Sequence, residues 1–383
     1  MPSKQPNAAQ SDTPAQPETG GPFGPPVRIP AHLRVSAAER LVSAPGRSRA
    51  ARNLVETAAQ HGIDLELLWG NVRRDHRSEM VAQVCLAVPT AGRTAMLFLS
   101  SPGTDRRLGT PETQRAQLTG VLRLALAELP RVVREPVKLA QTLVEPDQEW
   151  AEQACRDAGM TWVGRLHFMR LPWPVRFAKA HGTAADPWPE GVTVTRVSDP
   201  MDFGPTGDGT ALERALELSY ADTLDCPELC GLRSTRDVIV SHMSTGAFDP
   251  ARWWVIRRSG APEGCCLLNH CPSNHAIELV YLGVSRRLRG VGLARRVLEH
   301  ALTHAGARDT REITCAVDTR NIPATKLYHA MGFRMFGSRT GFVSSLGTHA
   351  SGENHRETHP STTDRGTLGT SGGQEKVPVA KRL

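Results

Sequence analysis

The chain predicts an α/β fold built twice in tandem, and three features carry that expectation. Strand-like and helix-like patterns alternate over most of its 383 residues, the two halves match when one is slid onto the other, and a glycine-bearing turn joins a strand to a helix in the second half. A gapless shift of 173 positions puts Val144 on Val317, Glu145 on Asp318, Ala151 on Ala324, Gly159 on Gly332, Met160 on Phe333 and Gly164 on Gly337. The same order of strand, helix, Gly-apolar boundary and strand recurs, so the halves read as copies of one unit. The shift also puts Gln114 on Arg287, Gln117 on Gly290, Thr119 on Gly292 and Cys155 on Tyr328. On that register the first copy lacks the small residues of the second copy's turn.

Taken in order, the first folded pattern spans about Ser36 to Gly70, with helical spacing at Ala51, Leu54, Val55, Ala58 and Ala59 and a stop at Gly62. Val81–Val88 and Thr94–Ser100 form a hairpin across Pro89-Thr90-Ala91-Gly92-Arg93. A helix follows over Glu112–Leu129, then a strand over Val137–Val144, a helix over Gln148–Ala158 and a strand after Gly159. The Pro- and Trp-rich stretch Leu171–Gly191 reads as a linker. Beyond it come a strand at Val192–Val197, helices at Ala211–Leu224 and Thr235–Ser244, and strands at Trp253–Arg258, Gly264–His270 and Ala276–Val284. After the turn and its helix, Glu312–Asp318 reads as strand, Pro323–Met331 as helix and Phe333–Ser345 as a final hairpin. The expected organisation is a disordered tail over 1–30, a first unit over 31–170, a linker over 171–190, a second unit over 191–345 and a disordered tail over 346–383.

Composition narrows the function classes. The N-terminus has no apolar signal-like region and no apolar run reaches membrane length, so a cytoplasmic protein with no membrane partner is expected. The formal charge of +7 comes from basic residues spread along the chain, which describes a solvated basic surface and not a nucleic-acid groove. Eight cysteines in a chain this long are not a disulfide framework. Cys226-x3-Cys230 and His270-Cys271 have the chemistry of zinc ligands, but no second pair stands at a zinc spacing, so no metal is expected.

The chemistry concentrates in one stretch. The apolar run Ala276–Val284 ends at Ser285, and from Leu293 apolar residues recur at helical spacing through Val297, Leu298, Ala301 and Leu302. A turn carrying Gly290 and Gly292 at a helix start leaves backbone N–H groups unpaired, with the positive end of the helix dipole behind them. Such a turn seats a phosphate, and Arg287 and Arg289 add charge beside it. A dinucleotide site requires a third small residue where Arg295 stands, and the chain has no GxxxxGK[ST].

What stands there is Arg287-x-x-Gly290-x-Gly292, followed by Asn321-x-x-Ala324-x-x-Leu327-Tyr328-x-x-x-Gly332-Phe333. This pair of motifs resembles the GNAT superfamily of acetyl-CoA-dependent N-acetyltransferases, well over about 192–345 and in outline over the first half. The tandem layout is also similar to mycothiol synthase, a member that acetylates a sugar amine. The resemblance implies, for each copy, a mixed, largely antiparallel twisted sheet flanked by helices. It implies that acetyl-CoA is the co-substrate, with its pantetheine arm along Leu282, Gly283 and Val284 and its pyrophosphate on Arg287, Leu288, Arg289, Gly290, Val291, Gly292 and Leu293. Tyr328 matches a tyrosine that can protonate the coenzyme sulfur. Glu278 resembles the strand glutamate that some members use as general base, or else points to solvent by strand alternation. Asn321 either fixes the coenzyme or the loop ahead of its helix, or serves as a simple N-cap. The implied acceptor is an amine, of a small molecule or of a protein, held between the loop 220–233 and the last hairpin. There Asp222, Asp225 and Glu228 are the acids suited to a cation. In this reading the first copy is degenerate and the second carries the activity; a non-catalytic acyl-CoA-binding sensor or scaffold module is the alternative.

Overall fold

The computed structural model describes residues 23–42, 46–75, 78–174, 188–306 and 309–346. Most of both expected tails, and positions 175–187 of the expected linker, lie outside the described residues. The first half runs β1 (Pro26–Arg28), α1 (Arg34–Leu41), α2 (Arg47–Thr57), β2 (Leu68–Asp75), β3 (Ser78–Thr90), β4 (Thr94–Leu99), α3 (Pro111–Val132), β5 (Leu139–Val144), α4 (Glu149–Asp157) and β6 (Thr161–Pro172). The second half repeats that order as β7 (Val192–Arg196), α5 (Asp208–Tyr220), α6 (Thr235–Met243), β8 (Trp253–Arg258), β9 (Ala261–Cys271), β10 (Ala276–Val284), α7 (Leu293–His304), β11 (Glu312–Asp318), α8 (Ile322–Ala330) and β12 (Arg334–Ser345).

The strands form one 12-stranded sheet in the order β1-β2-β3-β4-β5-β12-β6-β11-β10-β9-β8-β7. Within each half the first four strands pair antiparallel and the fourth pairs parallel with the fifth. The sixth strands are exchanged. β12 pairs with β5 through Phe342↔Thr142, and β6 pairs with β11 through Met169↔Cys315, while β6 and β12 pair antiparallel with each other. Phe342 of the second half is therefore fully buried among Leu118, Leu122, Ala151 and Cys155 of the first. Met169 of the first half is likewise buried among Ile313, Cys315 and Phe333 of the second. Each such large side chain removes enough apolar area from water to contribute about 1.5–3 kcal/mol.

Several expectations are corrected. Phe333–Ser345 holds one continuous strand, not a hairpin; Gly337 and Gly341 sit at its bulges, where a missing Cβ lets the strand kink without reversing. β1 lies inside the stretch expected to be tail, because Pro26–Arg28 has β2 to pair with. β2 was hidden in what read as the end of a helical pattern. Its Trp69 is fully buried, and a strand covered on both faces shows no alternation.

The shift of 173 holds from β5 onward: it carries α4 onto α8 and β6 onto β12 end to end. Upstream it fails, because α3 has 22 residues and α7 has 12. Pro111 follows Thr94 by as many residues as Leu293 follows Ala276. The turn residues of the first copy are therefore Asp105, Leu108 and Thr110 opposite Arg287, Gly290 and Gly292, not Gln114, Gln117 and Thr119.

Candidate active site

A cleft opens where β10 leaves β11. The two pair only from Ala276↔Glu312 to Glu278↔Thr314 and then part. A bulge between Leu279 and Tyr281 aids the departure and inverts the alternation of β10. Ile277 and Leu279 pack into the core under α7 and α8 before it, and Leu282 and Val284 do so after it. Val280 and Tyr281 turn to the core under α5. Leu282, Gly283 and Val284 remain paired with Cys266, Cys265 and Gly264 on β9, and all three line a cleft of about 610 Å³ on their other side.

One end of this cleft is the turn into α7. Gly290 (φ 81°) and Gly292 (φ 74°) occupy the left-handed region, and a Cβ at either would meet nothing within 4 Å. Glycine is required here by the backbone conformation, and the space in front of it is open. Gly292 is the N-cap of α7 and supplies no side-chain acceptor, so the first amides of the helix are left uncapped. Gly290, Gly292, Leu293, Ala294 and Arg295 line the cleft there. Leu288 lines it too, while anchored in the core. Ser285 Oγ donates to the carboxylate of Glu263 on β9, which fastens the turn to the sheet.

Of the expected pyrophosphate residues, Arg289 lines the cleft while committed to other contacts, and Arg287 and Val291 stand apart from it. Arg289 acts as a clasp: it donates to the carbonyls of Val284 (3.2 Å), Asp222 (3.1 Å), Ser219 (2.8 Å) and Ala221 (2.9 Å). It thereby satisfies carbonyls left over at the C-terminus of α5 and sets the loop beyond it against the cleft. Arg287 has a 79% exposed side chain, 3.9 Å from Glu263. Val291 is 63% exposed. Neither is among the residues lining the cleft.

Tyr328 and Asn321 line the cleft from α8. Asn321 is the N-cap, its Oδ1 accepting the Ala324 amide at 3.2 Å, so its N-cap reading holds at a residue that also faces the cleft. Tyr328 is 6% exposed and packs its ring 5.4 Å from that of Phe333. Burial drives its phenol pKa well above the ordinary value, with nearby Cys315 and Asp225 adding to the effect, so the hydroxyl stays protonated. Glu278 sits at the paired end of β10, its carboxylate 3.8 Å from Cys271 Sγ, and is not among the lining residues.

Sequence reasoning missed Tyr281 and Ser219. The Tyr281 hydroxyl lies 2.7 Å from Ser219 Oγ, and its ring stacks on His242 at 5.8 Å. Burial lowers the His242 pKa to about 4, so that ring is neutral. Tyr281 meets the cleft directly after the bulge, which nothing in the local sequence announces.

The loop after α5 closes the other flank with Asp222, Thr223, Leu224 and Asp225. Asp225 Oδ1 accepts the Asp318 amide at 2.9 Å. Asp318, fully buried, accepts from the Cys226 amide at 3.1 Å and from Arg320 at 2.6 Å. Arg320 also grips Glu228 at 2.6 and 2.9 Å, donates to the Val163 carbonyl of β6 at 2.6 Å and lies 4.9 Å over Trp162. The first half thus reaches the cleft through this network. Burial opposes charge on Asp318, but hydrogen bonds from Arg320 and from the backbone hold its pKa below the usual carboxylate range. The Glu228 pKa is lowered by its hydrogen bonds to Arg320. Asp225 goes the other way: although the residue as a whole is exposed, desolvation of its carboxylate by the surrounding protein, reinforced by the charge of Asp318, raises its pKa.

Among the described residues no group of three or more His, Cys, Asp or Glu is placed to hold a metal, and no helix is long and apolar enough to cross a membrane. Residues 220–333 match the model of the acetyltransferase (GNAT) family. Among solved structures, the chain is similar to a GCN5-related N-acetyltransferase from Sphaerobacter thermophilus at 19% identity, over 84% of this chain and 96% of that one, with a TM-score of 0.50. The likeness in fold therefore spans both halves. A tandem GNAT protein from the clavulanic acid biosynthesis pathway aligns at 14% identity over 84% of this chain and 98% of its own, with a TM-score of 0.41. No curated protein sequence matches the chain.

Proposed function

We propose that this chain, whose residues 220–333 match the model of the acetyltransferase (GNAT) family, is an N-acetyltransferase that moves the acetyl group of acetyl-CoA to a primary amine within a ternary complex. The family supports acyl transfer from an acyl-CoA. The observation that favours the fuller reading is the cleft itself, which runs from the unpaired edge of Leu282–Val284 to the uncapped start of α7 and has the protonated Tyr328 in its wall. The residues present fit the coenzyme: an extended arm adds to an open strand edge, and a pyrophosphate is matched by free helix amides and two open glycines. A small-molecule amine is the acceptor this reading favours over a protein amine, and the cytoplasm the compartment; no nucleic acid or membrane enters it.

Each group has a task in the transfer. The cleft holds the thioester near the acceptor nitrogen, which replaces a bimolecular encounter by an oriented one. Tyr328, neutral because it is buried, donates its O–H proton to the departing sulfur. Calorimetric titration of acetyl-CoA, followed by thiol release across a panel of amines, tests the reading. Tyr328→Phe is expected to lower turnover by about 100-fold or more while affinity for acetyl-CoA stays within about twofold. Tight binding with no turnover on any amine would leave the protein an acyl-CoA sensor.

A further inference from the structure

We infer that Asp225 is the group that binds the acceptor's ammonium and takes its proton, and that the acceptor is a cationic amine. This deepens the acetyltransferase reading and rests on it. Asp225 lines the cleft with Tyr328, Tyr281 and Asn321, so one space is shared by the proposed acid and this carboxylate. One of its oxygens is held by the Asp318 amide. Among the described residues no donor is found for the other, Oδ2. The carboxylate is thus fixed in orientation by one oxygen and available through the second, which is the arrangement a positioned base requires.

The charges around it select a cation. Asp318 and Glu228 share the single guanidinium of Arg320. Asp225 adds a third carboxylate on that side, and its charge bears on Tyr328, Tyr281, Cys226 and Cys315. Asp222, also lining the cleft, is paired with Arg286 at 3.1 Å. Arg289 spends its donors on backbone carbonyls and offers the acceptor nothing to repel it but a clasped charge. The inner group is one guanidinium against three carboxylates, and an ammonium reduces that excess of negative charge.

The protons then balance. The ammonium gives one proton to Asp225 Oδ2, and the freed lone pair forms the N–C bond as the C–S bond breaks. The sulfur takes the proton of Tyr328. The second proton that leaves nitrogen when the amide forms restores the phenol, and Asp225 returns its own to solvent.

The experiment compares wild type with Asp225→Asn and Asp225→Glu on acetyl-CoA and a panel of aliphatic polyamines, amino sugars and arylalkylamines. Asp225→Asn keeps an oxygen for the Asp318 amide, so acetyl-CoA affinity should stay within about twofold. Its kcat/KM should fall about 100-fold or more, and the acidic limb of its pH profile should vanish. Asp225→Glu should recover part of the rate. Asp225→Asn with an intact acidic limb and near-normal kcat/KM overturns the assignment, and so does loss of acetyl-CoA affinity, which would mark a structural residue. If wild type turns over no amine, the enzymatic reading itself fails. Calorimetry of spermidine into the complex with desulfo-CoA then decides whether Asp225 receives a cation: binding lost in Asp225→Asn supports that role, and no binding to wild type removes it.

Discussion

The turn from β4 into α3 and the turn from β10 into α7 are the same piece of the fold, and they differ in who satisfies the helix amides. In the first copy Thr110 caps α3 by accepting the Thr113 amide, and Asp105 accepts the Arg107 amide at 2.9 Å. The buried side chain of Gln114 accepts the Gly103 amide at 2.8 Å and donates to the carbonyls of Gly103 and Gly109. Leu108 fills the space in front, so close that a Cβ on Gly103 would lie 2.1 Å from its Cδ1. In the second copy Gly292 caps nothing, and a Cβ at either glycine would meet open space. On α4 and α8, Cys155 stands in the core where Tyr328 faces the cleft. An anion seat is therefore made by withholding caps, and lost by supplying them.

The contrast can be broken from either side. Gly292→Asp gives the second turn a cap and a like charge for an anion, at a φ of 74° that L-residues rarely adopt. Acetyl-CoA affinity by calorimetry should fall by more than about 100-fold, or about 2.7 kcal/mol, with the far-UV spectrum unchanged; full affinity would dismiss the turn as the seat. Phe342→Ala removes a second-copy side chain from the first copy's core and should cost about 3–5 kcal/mol in chemical denaturation. Gln114→Ala strands the groups it serves and should cost about 1–3 kcal/mol without creating acetyl-CoA binding in the first turn.

Two smaller effects separate the carboxylates. Because the folded pKa of Asp225 is raised, its charge weakens the fold as pH rises through that pKa, and no such effect exists once pH is below the ordinary value of the unfolded chain. Asp225→Asn should therefore melt slightly higher than wild type at neutral pH, with the gain fading in acid. Glu278→Gln should leave the acidic limb of the pH–rate profile in place; a limb lost there would move the base to Glu278.

Local signals made most elements legible. Apolar periodicity located α4, α7, α8 and β8 to within a few residues, and Gly290 and Gly292 marked the turn because only a left-handed backbone before a helix asks for them so closely spaced. The two motifs placed Tyr328 and Asn321 at the cleft. What stayed hidden depends on distant partners. The exchange of β6 and β12 is invisible because a strand's own pattern says which face it buries, not beside whom. That Arg289, which lines the cleft, also clasps the end of α5 stayed hidden because a sequence does not show that α5 ends within its reach. Asp225 stood among three loop acids until the Asp318 amide singled it out.

The exchange of strands has a consequence for the order in which the protein takes shape. β12 is the last strand among the described residues, yet Phe342 completes the core of the first half. During synthesis that half would emerge with the β5 edge unpaired and a gap where Phe342 belongs, until nearly the whole described chain has been made. Pairings of such sequence separation form slowly, and an open strand edge invites association with other chains in the meantime. The turn before α3 is capped by Thr110, and β6 of the first half is a strand beside β11 and β12 of the second. Cut between β6 and β7, each half would lose the strand that completes its sheet.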